Sequence, residues 1–332
     1  MSNGFNFLWI DDEAQRETTA DILKKNAGIK VFFHDASKDK EDLAKQIDKL
    51  MQKHVPDLVI VDHKLDKTKG EFWNALKGTG ATAAEVIKAS YPHMPVVCIT
   101  KVDLREITFT QKAAYDVILD AAHLTKHDQF LVTLAQGFRK IKEMPPNNEE
   151  EILQYLGCPD DDLSRLKQVL PDDVKNGFGQ KGYASVLWRW VFDTLFGRPG
   201  FLYDSLCTAT LVGAKENSFL KVQEKMESAK YTGIFANDVY PRWWVSKVLE
   251  FLYKSKYADE TDNPRLIGRA YLNVPPQGYS KCAVSSSDLP DTVAFTDITN
   301  QKRNQVCMQY TEGHPGFQKL LFFEEIRIIK GE

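Results

Sequence analysis

Four short apolar runs in the first hundred residues each stop, or nearly stop, at a polar side chain, and a helical stretch separates most of them. Residues 5–10 (FNFLWI) stop at Asp11 and Asp12, and residues 57–61 (DLVIV) stop at Asp62. Residues 29–33 (IKVFF) form a further run, and residues 95–99 (PVVCI) stop at Thr100. Between them, residues 18–25 continue as a helix, Leu43, Ile47, Leu50 and Met51 recur at helical spacing, and residues 83–91 are helical. Phe130, Leu131, Leu134, Phe138 and Ile141 mark a last amphipathic helix. Near-continuous apolar strands alternating with helices require a parallel sheet covered on both faces. The expectation for residues 1–142 is an α/β domain, a doubly wound five-stranded parallel sheet.

The polar, proline-bearing stretch Met144-Pro145-Pro146-Asn147-Asn148 marks a linker over residues 143–150. Beyond it, residues 151–332 are expected to form a second, aromatic-rich α+β domain, mostly helical to about residue 258 with a short β-rich C-terminal part. Its strands are expected at 292–295, 305–310 and 320–329. Leu187, Trp188, Val191, Phe192, Leu195 and Phe196 repeat at helical spacing and read as core. Trp243 and Trp244 are adjacent and cannot share one helix face, so one of them is a candidate for a partner surface.

Charge excludes little but points away from nucleic acid. Up to Asn147 there are 21 basic and 21 acidic residues, and after it 22 and 25, so neither half has the positive excess of a phosphate-backbone binder. The five cysteines (98, 158, 207, 282, 307) are scattered without a CxxC pair, which suits reduced thiols in a cytoplasmic setting. The N-terminus has no basic region before its short apolar run, unlike a signal peptide, and no stretch approaches the ~18 apolar residues of a membrane helix.

In an open parallel sheet, ligands gather at the carboxyl ends of the strands where the strand order reverses. Asp11, Asp12, Asp62 and Thr100 all fall at such ends, and Lys126 falls where a fifth strand is expected to end. Three clustered carboxylates stay ionised at neutral pH only with a compensating cation. An all-oxygen set with room for water and phosphate suits Mg²⁺. A carboxylate can attack a phosphoryl group to give an aspartyl phosphate, whose equatorial oxygens then need positive charge and hydroxyl donors. His63, His123 and His127 crowd the same edge without a metal-ligand spacing, and surface histidines are the simpler reading.

The fragments FNFLWIDDE, DLVIVDHKL, PVVCIT and AAHLTK, in this order, resemble a response-regulator receiver domain over about residues 5–142. The resemblance implies a flavodoxin-like fold in which Asp62 is the phosphoacceptor. It further implies Mg²⁺ as cofactor, with Asp12 as a direct ligand, Asp11 acting largely through water, and the Lys64 backbone carbonyl completing the site with Asp62. Thr100 and Lys126 match the switch hydroxyl and the phosphate-binding lysine. Three departures stand out. Asp66 occupies a place where proline is common, residues 67–79 form an inserted loop, and Lys101 replaces the usual small residue. Lys64 and Lys101 stand where they either stabilise a bound phosphate or block its access.

The resemblance implies a two-component regulator that takes a phosphoryl group from a histidine kinase or phosphotransfer protein. Its second domain would pass the signal to a downstream protein target rather than to DNA, with a homodimer left open. Two rivals are a pseudo-receiver adaptor that is not phosphorylated, and a phosphorylation-switched enzyme in the second half. That half holds one histidine, His314, in no nucleophile-elbow context, and its Gly177–Gly182 stretch follows no strand, so it supplies no convincing catalytic set.

Overall fold

The structure, a computed structural model, describes residues 4–24, 29–39, 42–65, 79–121, 127–197, 200–238, 240–286, 292–296 and 303–307. The chain divides into two units that interleave in sequence. The first comprises Met1–Glu149 with Pro171–Arg189, the second Glu150–Leu170 with Trp190–Glu332. Residues 171–189, which the sequence places within the second region, thus group with the first unit.

The first unit is built on five parallel strands: β1 (Phe5–Asp11), β2 (Ile29–Asp35), β3 (Leu58–Asp62), β4 (Val96–Thr100) and β5 (Val117–Asp120). Their order is β2-β1-β3-β4-β5, that of a flavodoxin-like doubly wound sheet, and the order reverses between β1 and β3. Residues 58–61 and all of β4 are buried, as a sheet covered on both faces demands. The covering helices include α1 (Glu17–Lys24), α2 (Leu43–His54), α3 (Gly80–Ser90), α4 (Phe109–Ala114) and α5 (Asp128–Glu143). The side chain of Asp42 caps α2 by accepting from the Ala44 and Lys45 N–H groups, and Thr108 with Gln111 forms a capping box on α4.

The buried face of α3 is unusually small, with Gly80, Ala81, Ala83 and Ala84 against the sheet and Ile87 completing it. Small side chains let the helix backbone approach β3 closely, and that places the N-terminus of α3 beside the end of that strand. Leu8, Ile10, Leu43, Ile47, Val59, Val61, Val96 and Cys98 fill the core beneath it.

Beyond Glu149 the chain enters the second unit with α6 (Glu149–Tyr155) and α7 (Leu163–Val169), and it returns to the first unit with α8 (Asp172–Asn176). The next helix, α9 (Tyr183–Trp190), contributes its first seven residues to the first unit. There the Trp188 indole N–H donates to the Asp116 carbonyl at 3.0 Å and packs on Phe130. Arg189 donates to the Ala113 carbonyl at 2.6 Å. Lys88, near the C-terminal end of α3, reaches the Asp116 carboxylate at 2.6 Å and the Ser185 hydroxyl at 3.1 Å.

Among the described residues the second unit is helical with two short antiparallel pairs. The pair β6 (Leu202–Tyr203) and β7 (Trp243–Trp244) is followed by β8 (Thr292–Thr296) with β9 (Arg303–Cys307). The helices α10 (Ser205–Leu211), α11 (Glu216–Phe219), α12 (Val245–Tyr253) and α13 (Pro264–Leu272) surround a core that holds Phe219, Met226, Trp243, Val248, Leu252, Ile267 and Leu272. The partner-surface expectation for the tryptophan pair is corrected here, since both are buried. On a strand, neighbouring side chains point to opposite faces. Trp243 meets Phe219 edge-on while Trp244 packs on Tyr231, so each face has its own aromatic partner. The expected strand at 320–329 and the residue His314 lie outside the described residues.

Candidate functional site

Asp11 and Asp12 arrive at the site because β1 runs to its last residue in register with its neighbours. Ile10 lies opposite Val61, and Asp62 opposite Ile99, so the ends of β1, β3 and β4 stand side by side. Carboxylate oxygens of Asp11, Asp12 and Asp62 all lie within 4.8 Å of one another, with Asp11 and Asp12 buried and Asp62 partly so. This acidic set is the only such cluster of potential metal-binding side chains among the described residues. Thr100 closes β4 beside them, and an open cavity of about 420 Å³ is lined by Asp12, Arg16, Asp62, Lys64, Thr100 and Lys101, among others.

Asp11 is held in place from two sides. The Glu13 N–H donates to Oδ1 at 2.8 Å, and the Trp9 indole donates to Oδ2 at 3.2 Å. Arg16, in the turn between β1 and α1, sets its Nε 4.0 Å from the same Oδ2 and 3.6 Å from Glu13 Oε2. Burial pushes the Asp11 carboxyl up to about 6, against the pull of the Glu13 N–H and of Arg16. Asp62 is pushed up to about 7, by burial first and by the Asp11 charge second, while Arg16 opposes both. Two carboxyls raised this far carry less than full charge near neutrality, and a nearby cation would restore it.

The donor set fits Mg²⁺. It consists of hard oxygen ligands on an open cavity, and Mg²⁺ typically uses one or two carboxylates while keeping several waters and phosphate oxygens. Asp12, Asp62 and the Lys64 carbonyl would hold the ion, with Asp11 behind them.

Thr100 is buried, and its hydroxyl oxygen accepts the Val102 N–H at 3.0 Å, which bends the chain away at the strand end. Lys64 and Lys101 are both exposed on the cavity wall. The inserted loop is closed at its base by a bridge between Lys64 and Thr79, and Thr79 caps α3. The loop residues 66–78 lie outside the described residues, as do His123 and Lys126. The fifth strand ends at Asp120, opposite Thr100, because the apolar triplet 117–119 pairs with Val97–Ile99. Lys126 comes six positions after Asp120 in the sequence.

His63 points away from the solvent edge. It is buried, its Nδ1 lies 3.2 Å from the Tyr115 hydroxyl, and burial, with Lys64 beside it, lowers its basicity. Three residues that the sequence reading did not single out help to shape the site: Arg16, Gly80 and Tyr115. Arg16 is a single charge in a helical turn and carries no motif of its own. Gly80 opens a run of small residues, GATAA, which is a legible mark of close helix–sheet approach. Tyr115 lies far from Asp62 in sequence, and only the fold brings them together.

No family model matches the chain, and no curated protein matches it. Solved structures match it over part of its length. A response-regulator receiver domain protein from Clostridium thermocellum is 22% identical over 42% of this chain and 99% of its own, with a TM-score of 0.30. The signal receiver domain of an HD domain-containing protein from Pseudomonas fluorescens Pf-5 is 15% identical over 43% of this chain and 96% of its own, with a TM-score of 0.33. A LuxR-family two-component response regulator from Aurantimonas sp. SI85-9A1 is 15% identical over 40% of this chain and 86% of its own, with a TM-score of 0.31.

Proposed function

We propose that the first unit is a phosphorylation-dependent receiver and that the chain is a two-component response regulator with Asp62 as phosphoacceptor. The observation that carries this reading is the meeting of three carboxylates within 4.8 Å at the sheet's switch point, two of which, Asp12 and Asp62, line one cavity with Thr100. In the reaction, an Asp62 Oδ attacks the donor's phosphorus, a new O–P bond forms, and the donor's bond breaks with its electron pair leaving on the donor. The carboxylate becomes an acyl phosphate; acetyl phosphate leaves as acetate with no proton taken up, whereas a phosphohistidine donor leaves as neutral imidazole and takes up one proton on the released nitrogen. Bound Mg²⁺ would neutralise phosphoryl oxygens and favour the ionised carboxylates.

The chain's own groups do the rest. Asp11, fixed by the Glu13 N–H and the Trp9 indole, holds negative charge behind Asp12. Thr100 sits at the end of β4 on the cavity wall, and turning its hydroxyl toward the phosphoryl group would release the Val102 N–H it now accepts. That exchange would couple phosphorylation to the segment after β4. Lys126 is assigned the phosphate-binding role. The phosphodonor is a histidine kinase or phosphotransfer protein. The second unit serves as the output module for a protein partner. No helix among the described residues is long and apolar enough to cross a membrane.

The test is intact mass after incubation with Mg²⁺ and acetyl phosphate, for the wild type beside Asp62→Asn. A single labile phosphoryl adduct on the wild type and none on the variant is the expected result. No adduct together with no Mg²⁺ binding would favour an unphosphorylated adaptor.

A further inference from the structure

The acidic pocket contains a positive group of its own. The Arg16 side chain is largely buried, at 12% exposure, and lines the same cavity as Asp12, Asp62 and Thr100. Its Nε is fully enclosed and makes no hydrogen bond, although carboxylate oxygens of Glu13 and Asp11 lie only 3.6 and 4.0 Å away. An arginine held near carboxylates without a closed hydrogen bond at this nitrogen is placed for its charge rather than as half of a tight pair. A tight, bidentate pair would have closed to the usual ~2.7–2.9 Å.

We propose that Arg16 is the pocket's resident cation, offsetting the carboxylates while the metal is absent and binding phosphoryl oxygens once Asp62 is modified. This rests on the receiver reading and adds a residue to it. The two roles follow from one geometry. Before phosphorylation, the guanidinium and a bound Mg²⁺ are like charges sharing one set of carboxylates, so Arg16 weakens metal binding. Phosphorylation converts the singly charged Asp62 carboxylate into an acyl phosphate with more negative charge and three further acceptor oxygens. The guanidinium presents five donors in a planar fork suited to such oxygens, and Nε is already desolvated and lacks a hydrogen-bond partner. Arg16 thereby works against the metal in the resting state and with it in the phosphorylated state.

This predicts opposite changes in two measurements. In the full chain, Arg16→Gln removes the charge and keeps a polar side chain of similar reach. Its Mg²⁺ affinity, read by titration of intrinsic fluorescence, is expected to be about threefold tighter or more than the wild type's. Its rate of modification by acetyl phosphate at saturating Mg²⁺ is expected to fall about tenfold or more. Arg16→Lys keeps the charge but not the fork. It should hold wild-type Mg²⁺ affinity while still losing phosphorylation rate. A purely structural arginine would give weaker metal binding on substitution through loosening of Asp11, and tighter binding cannot come from misfolding. Unchanged or weaker Mg²⁺ affinity in a folded Arg16→Gln protein overturns the proposal while leaving the receiver reading intact. A wild type that neither binds Mg²⁺ nor takes up phosphoryl overturns both.

Discussion

Gly80 sits so close to Asp62 that a methyl group on its Cα would fall 2.1 Å from the Asp62 carbonyl oxygen and 3.0 Å from the Tyr115 hydroxyl. The backbone of the candidate phosphoacceptor is thus wedged directly against the first turn of α3. The contact is with main chain, which has no rotamer to give. Gly80→Ala is expected to lower unfolding free energy by about 1–3 kcal/mol, the usual cost of overpacking, through displacement of β3 or α3. Chemical denaturation checks the stability, and Mg²⁺ affinity should fall with it because the displaced strand end carries Asp62.

Asp62 and Asp11 make the metal-free protein less stable as pH rises. Their folded values of about 7 and about 6 lie above the ordinary 3.8, so the native state holds protons that the unfolded chain releases. Their relative contribution is fully favourable below about pH 4 and declines as pH rises toward about 7, above which it is lost. Asp62→Asn removes the larger of the two burdens. In the absence of metal the variant should be more stable than the wild type at pH 8, by roughly 1–2 kcal/mol after allowance for solvent screening, with the difference shrinking toward pH 4. Thermal melts across this range check the trend, and a variant less stable than the wild type at pH 8 would contradict it.

Mg²⁺ binding has the opposite pH dependence. Protons and metal compete for the same carboxylates, so affinity should weaken steadily as pH falls from 8 to 5, most steeply below the Asp62 value of about 7. Trp9 offers a reporter, since its indole donates to Asp11 Oδ2. Its fluorescence should respond to Mg²⁺ in the wild type, and the response should be lost in Trp9→Phe while binding itself persists by calorimetry.

The Lys88–Asp116 pair is the stability anchor of the first unit's far side. The Asp116 carboxylate is fully buried, and besides Lys88 it accepts the Val96 N–H at 2.8 Å. Lys88→Met leaves a buried carboxylate short of its cation and should destabilise the protein by about 3–5 kcal/mol. Replacing Arg105, which pairs with Asp103 in full exposure, should have no measurable effect. Equal effects of the two substitutions in denaturant titrations would refute this ranking.

The strands were readable because burial on both faces writes them as unbroken apolar runs, and their polar ends mark the edge where Asp11, Asp62 and Thr100 meet. The fifth strand was harder. Its apolar core is only Val117-Ile118-Leu119, and pairing with β4 sets its end at Asp120. Nothing local in the sequence fixes that register. The place of 171–189 in the first unit was also illegible, since it depends on long-range hydrogen bonds from Trp188 and Arg189 to main-chain carbonyls at 116 and 113. Carbonyl acceptors leave no mark in a sequence. Arg16 escaped for a related reason: a lone arginine after an acidic pair reads as a solvated helix residue until its burial is known.

The central claim is that Asp62 receives a phosphoryl group, and borohydride trapping tests it at the residue itself. Borohydride reduces an acyl phosphate to the alcohol with release of phosphate, so a phosphorylated aspartate becomes homoserine and is located by peptide mass mapping. After treatment with Mg²⁺ and acetyl phosphate, homoserine at position 62 alone is the predicted result. Homoserine at position 11 or 12, or at no position in a protein shown to bind Mg²⁺ and exposed to phosphorylated histidine-kinase donors as well, would contradict the account.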